Sequence, residues 1–204
     1  MKPNRSATDR HCTMNQIALI GTSHSYQLPD NAHVNAFASF IRSFLDSSNF
    51  AVIAEEMSSE ALLQKGASQS ICKQVADERG LHHLYCDPDN QVRNKLGIQG
   101  ENDIRLDGFF QNHSEDEINR NIQTSHGRRE KYWLDGILAL DCWPVLFVCG
   151  ANHVDGFNSN VKAKGFSPKV LVADWSPWET GAILSSLGHK WLGQASDSAE
   201  RYGE

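Results

Sequence analysis

Two short stretches repeat an order of residue types that chemistry can use. Ile17-Ala18-Leu19-Ile20 runs into Gly21-Thr22-Ser23-His24, and Val145-Leu146-Phe147-Val148-Cys149 runs into Gly150-Ala151-Asn152-His153. Each is an apolar, β-branched run broken by glycine, with a histidine three residues further on. A third apolar run, Phe50 to Ala54, ends in Glu55-Glu56. Asp87 follows a fourth run and Asp174 ends a fifth. Two imidazoles and one or two carboxylates are a ligand set for a divalent metal that keeps an open position. Such a metal acidifies bound water or polarises a carbonyl. The expected ligands are therefore His24, Glu55, Glu56 and His153. Neighbouring residues on a strand face opposite ways, so one glutamate would bind the metal while the other serves as base or supports it.

Other groups carry weaker signals. Cys149 with a histidine is a candidate nucleophile, although it sits inside an apolar run. His82 and His83 are adjacent and diverge on a strand. Arg128-Arg129-Glu130 reads either as an exposed helix face or as an anion clamp, since guanidinium grips carboxylate and phosphate with two parallel hydrogen bonds. No GxxxxGK[ST], GxGxxG or GxSxG occurs, so nucleotide-binding loops and the serine elbow are not indicated.

The elements that must position these residues follow from the apolar pattern. Strands are expected at Ile17–Gly21, Phe50–Ala54, Leu81–Cys86, from Pro144 to Cys149, and at Lys169–Asp174. Between them lie helices, at about Ala32–Asp46, Ser59–Gln64, Gln69–Arg79, Glu115–Thr124, Arg128–Leu140 and Asn152–Lys164. Asp87-Pro88 reads as the cap and first residue of another helix ending near Gly97. Gln99 to Asn112 reads as a loop or short hairpin, and a last helix is expected after Trp175, before about Gly193. Continuous apolar strands alternating with helices specify a single α/β domain, a mostly parallel sheet with helices on both faces. Ligands bind at the carboxyl ends of such strands, where His24, the glutamates and His153 all fall. Residues 1–13 and 194–204 read as tails around a domain of residues 14–193.

Composition bounds the function. The 204 residues are 40% hydrophobic and 22% charged, which suits a globular domain with a sizeable core. The net charge of −6 argues against nucleic-acid binding. No apolar run is long enough to span a membrane. Five cysteines without a CxxC point to free thiols and a cytoplasmic setting.

The order GTSH (21–24), EE (55–56), RREKYWLDGI (128–137) and GANH (150–153) resembles the TraB/TIKI superfamily, which also takes in ChaN-like and erythromycin esterase-like proteins. The segment FAVIAEEM resembles its ChaN-like counterpart, and the resemblance spans about Ile17 to Trp175. It implies an α/β fold and a polar site of His24, Glu55, Glu56, Arg129 and His153. Members include metal-dependent proteases, esterases and haem binders. The expectation is a metal-dependent hydrolase of a small-molecule or peptide substrate, in which Glu55, Glu56 and Arg129 are catalytic. The alternatives are a haem or small-ligand binding module, or a metal-free esterase with a histidine base.

Overall fold

The computed structural model describes residues 16–178. Both tails, and residues 179–193 of the stretch in which the last helix is expected, lie outside the described residues. Five strands, β1 (Ile17–Thr22), β2 (Val52–Glu55), β3 (His82–Tyr85), β4 (Val145–Gly150) and β5 (Lys169–Trp175), form one sheet in the order β3-β2-β4-β1-β5. Every pairing is parallel, as the uninterrupted apolar runs require of strands covered on both faces. The helices are α1 (Val34–Ser47), α2 (Ser59–Gln64), α3 (Ile71–Arg79), α4 (Asn90–Leu96), α5 (Glu101–Phe110), α6 (Glu115–Leu140) and α7 (Val154–Ala163). None of them is long and apolar enough to cross a membrane.

Strand alternation sorts the core into two layers. Ala18, Ile20, Ile53, Leu146 and Val148 meet Phe37, Phe40 and Ile41 of α1 and Val75 of α3 on one face. Ile17, Leu19, Ala54, Val145 and Phe147 meet Trp133 and Ile137 of α6 and Phe157 of α7 on the other. The register of β1 on β4 sets Gly21 beside Cys149 and Thr22 beside Gly150. The two Gly-x-x-His turns thus leave the sheet side by side.

Three expectations are corrected. Residues 101–110 are helical, not a loop or hairpin. Only Ile104 and Gly108 of α5 are buried, while Leu106, Phe109 and Phe110 are exposed, so its apolar residues trace no clean inward stripe. The two segments expected between residues 115 and 140 are one helix of 26 residues. It runs through Gly127, where an added Cβ would meet nothing within 4 Å; glycine there lowers helix propensity but packing carries the helix on. Its start has a capping box, Ser114 with Glu117. Finally, Asp87 is not a helix cap. Asp89 caps α4, accepting from the Val92 N–H at 2.8 Å, which leaves Asp87 for another task. A 3-10 turn over Ala151–His153 leads straight into α7.

Candidate active site

Glycine geometry brings the first histidine into place. A Cβ on Gly21 would lie 1.8 Å from the Ala173 carbonyl oxygen of β5, so only glycine lets β1 end this close to its neighbour. Ser23 then caps the 3-10 turn His24–Gln27, and His24 stands half-exposed at its start. Gly150 does a related job on β4. Its N–H donates to Glu56 Oε2 at 2.7 Å, and a Cβ there would sit 3.2 Å from that oxygen and 3.4 Å from His24 Nε2.

The two glutamates separate as strand geometry demands. Glu55 follows Ile53 onto the α1/α3 face, where it pairs with His83 Nε2 at 2.8 Å and accepts from the Ser70 hydroxyl. It does not join His24 and His153, so the ligand and catalytic roles expected of Glu55 have no geometry here. Glu56 turns to the opposite side and becomes the centre of the cluster. Its Oε1 lies 3.1 Å from His24 Nε2, 3.0 Å from Arg129 Nη1 and 3.6 Å from His153 Nε2. Of the five residues expected at the site, the fold gathers His24, Glu56, Arg129 and His153.

Each of these is held from behind. Arg129 Nε and Nη2 donate to the Asp87 carboxylate at 2.6 and 2.8 Å. Trp133 Nε1 donates to the same group at 3.1 Å, and Arg93 pairs with it. The Arg129 guanidinium also lies over the Trp133 ring, 5.2 Å from its centre, a cation–π contact. His153 is buried, with Nδ1 at 2.9 Å from Glu130 Oε1. A carboxylate only accepts, so that nitrogen carries a proton. Glu130 accepts from Asn160 Nδ2 at 3.0 Å and fits because residue 156 is glycine: a Cβ there would come within 2.5 Å of its carboxylate. His126 leans on the His153 ring, 4.3 Å between centres.

Asp87, Glu130, Trp133 and His126 escaped assignment as site residues. For three of them the signal lies in α6: Arg129, Glu130 and Trp133 belong to one helix, and His126 precedes Arg129 and Glu130 by three and four residues, the spacing of one face. The mistaken break at Gly127 hid it.

Charge follows geometry. Burial pushes the Glu56 pKa up, but the approach of His24 and the charges of Arg129 and His153 prevail and bring it down to about 2. Partial burial disfavours protonation of His24, yet its contact with Glu56 outweighs this and raises its pKa above 6.5. Burial opposes the charge of Arg129, but Asp87 and Glu56 raise its pKa further. His126 is lowered, by burial and then by the charge of His153. Cys149 is fully buried and burial drives its thiol well above 9, which removes it as a nucleophile.

Two cavities of about 430 and 440 Å³ adjoin the cluster, and His24 and Arg129 line both. A divalent metal does not fit the residues as they stand. Among the described residues no three His, Cys, Asp or Glu side chains are arranged to hold one. The buried Glu56 Oε1 makes no hydrogen bond of good geometry, but the Arg129 guanidinium already faces it and balances its charge. Haem fits no better, because both histidines turn Nε2 toward Glu56 and so do not present it as an axial ligand.

No family model, curated protein or solved structure matches the chain.

Proposed function

We propose that this protein is a hydrolase of small esters that works by general acid–base catalysis, with His24 as the base. The observation that carries this reading is the pairing of a fully buried, ionised Glu56 with a half-exposed His24 on the wall of two cavities. The charge of the carboxylate, 3.1 Å from Nε2, favours a proton on that nitrogen and leaves the Nδ1 lone pair for water. Among the described residues no hydrogen bond engages Nδ1 of His24. Glu56 thus orients the imidazole and stabilises its protonated form, as the acid of a catalytic triad does.

In the reaction, Nδ1 takes a proton from water as the hydroxide oxygen bonds to the ester carbonyl carbon. The oxygen of the tetrahedral intermediate gains negative charge beside the Arg129 guanidinium. The carbon–oxygen bond to the alcohol then breaks, and imidazolium returns its proton to the departing alkoxide. Acid and alcohol leave, and His24 is neutral again. Asp87 and Trp133 keep Arg129 from turning away. The resemblance of GTSH, EE, RREK and GANH to the TraB/TIKI superfamily, which includes esterases, supports the same reading.

Hydrolysis of 4-nitrophenyl acetate by the purified chain tests it. His24→Ala should lower kcat/KM by about 10²- to 10⁴-fold, the usual span for general base catalysis, with circular dichroism unchanged. Activity should survive dialysis against a chelator. A stoichiometric metal ion whose removal abolishes turnover would replace this mechanism with the metal-dependent one, and a His24→Ala enzyme as active as the parent would end it.

A further inference from the structure

The cavity bordered by α2 has a composition that ester hydrolysis alone does not require. Leu28, Met57 and Ala61 give it apolar wall. Its charged lining is two carboxylates, Glu56 and Asp87, against three cations, Lys65, Arg93 and Arg129. The arginines are already committed: Arg129 pairs with both carboxylates and Arg93 with Asp87. Among the described residues no carboxylate pairs with Lys65 Nζ. An uncompensated cation beside apolar wall, on a chain of net charge −6, is a local reversal of sign in the lining of this cavity.

The backbone around Lys65 is fixed. Its N–H bonds back to Ala61 and Leu62 carbonyls and closes α2, and Gly66 turns away at φ 72°. Ala61, Gln64 and Lys65 follow at helical spacing, so one face of α2 lines the cavity. The acidic residue of that helix, Glu60, is held elsewhere, by the Asn90 N–H and side-chain amide at 2.8 and 2.7 Å. The second cavity differs: Thr22, Gln99, Asn152 and Asp174 give it polar wall.

We infer that the α2-side cavity binds an organic monoanion with an apolar body, its charge set against Lys65, and that this is the acyl part of the substrate, an acyl chain that carries a free carboxylate at the end remote from the ester carbonyl. The polar cavity receives the alcohol part. The assignment of an acyl group rests on the hydrolase reading; the binding of an apolar anion does not.

Calorimetric titration of the full chain with octanoate and with octylammonium tests the binding. Octanoate should bind and octylammonium should not. Lys65→Glu should weaken octanoate by about fivefold or more and Lys65→Arg by less than about twofold, the scale of one exposed charge pair reversed or kept. Absence of octanoate binding, equal binding of octylammonium, or octanoate affinity untouched by Lys65→Glu would each overturn the inference. Hydrolysis of the mono-4-nitrophenyl ester of octanedioic acid, whose free carboxylate remains charged, is followed separately. Lys65-dependent octanoate binding without any ester hydrolysis upholds the anion site and sinks the hydrolase reading. Hydrolysis without octanoate binding does the reverse.

Discussion

Glu56 Oε1 has three side-chain nitrogens from distant parts of the chain within 3.6 Å, and this convergence controls how the site responds to pH. A carboxyl held at about 2 stabilises the fold above its ordinary value of 4.5, and that contribution is lost as pH falls toward 2. A histidine raised above 6.5 contributes fully below 6.5, and its share is lost as pH rises through its folded pKa. The pair is therefore at full strength between about pH 4.5 and 6.5. Catalysis runs the other way, because the base must be neutral. The rate should climb with pH through the raised pKa of His24. Glu56→Gln keeps the shape and removes the charge, so the ascending limb should move to lower pH while kcat falls at least tenfold. A pH–rate profile that does not move would show that Glu56 does not act on His24. The same variant should lose the acid-labile part of its stability, on the order of 3 kcal/mol at pH 6 for a shift of this size in a buried group, measured by urea unfolding.

At the scale of elements, α6 is the member on which the site depends. It supplies Arg129 and Glu130 toward the cluster and Trp133, Leu134 and Ile137 toward the sheet, so packing energy and site geometry are tied to one rigid rod. Gly127 lies in its exposed part with open space around it. Gly127→Ala should raise stability by about 0.5–1 kcal/mol and leave activity alone; a lower melting temperature would mean that α6 bends there. Gly156 of α7 is the opposite case. An added methyl meets the Glu130 carboxylate at 2.5 Å, so Gly156→Ala should push that group off His153. The imidazole signals of His153 in an NMR titration would report it, and an unchanged His153 spectrum would refute the packing argument.

For the whole molecule, the sheet order puts β2, β4 and β1 side by side. These strands deliver Glu56, His153 and His24 to one edge. Strand β4 lies between the other two, and Leu146 at its middle is fully buried. Leu146→Ala should cost about 2–5 kcal/mol, read from the denaturation midpoint; an unchanged midpoint would show that this layer is not the core. A mostly parallel sheet was legible from the continuous apolar runs, because strands covered on both faces need no polar alternation; that every pairing is parallel came from the fold. The two histidine turns were legible for the same reason: each glycine falls where its strand must stop. Period two foretold that Glu55 and Glu56 diverge, but not which turns to the site. That depended on α6 packing against the Ala54 face, with Arg129 over Glu56, while Ser70 and His83 took Glu55. Asp87, read as a helix cap, became the anchor of Arg129 because Asp89 supplied the cap. Glu130 became the partner of His153 because Gly156 left room for it. Local sequence determines where strands end and which residues stand at their ends, since those depend on backbone sterics and burial period. Which charged groups meet is decided by the crossing of helices over the sheet, a long-range packing outcome that no local spacing encodes.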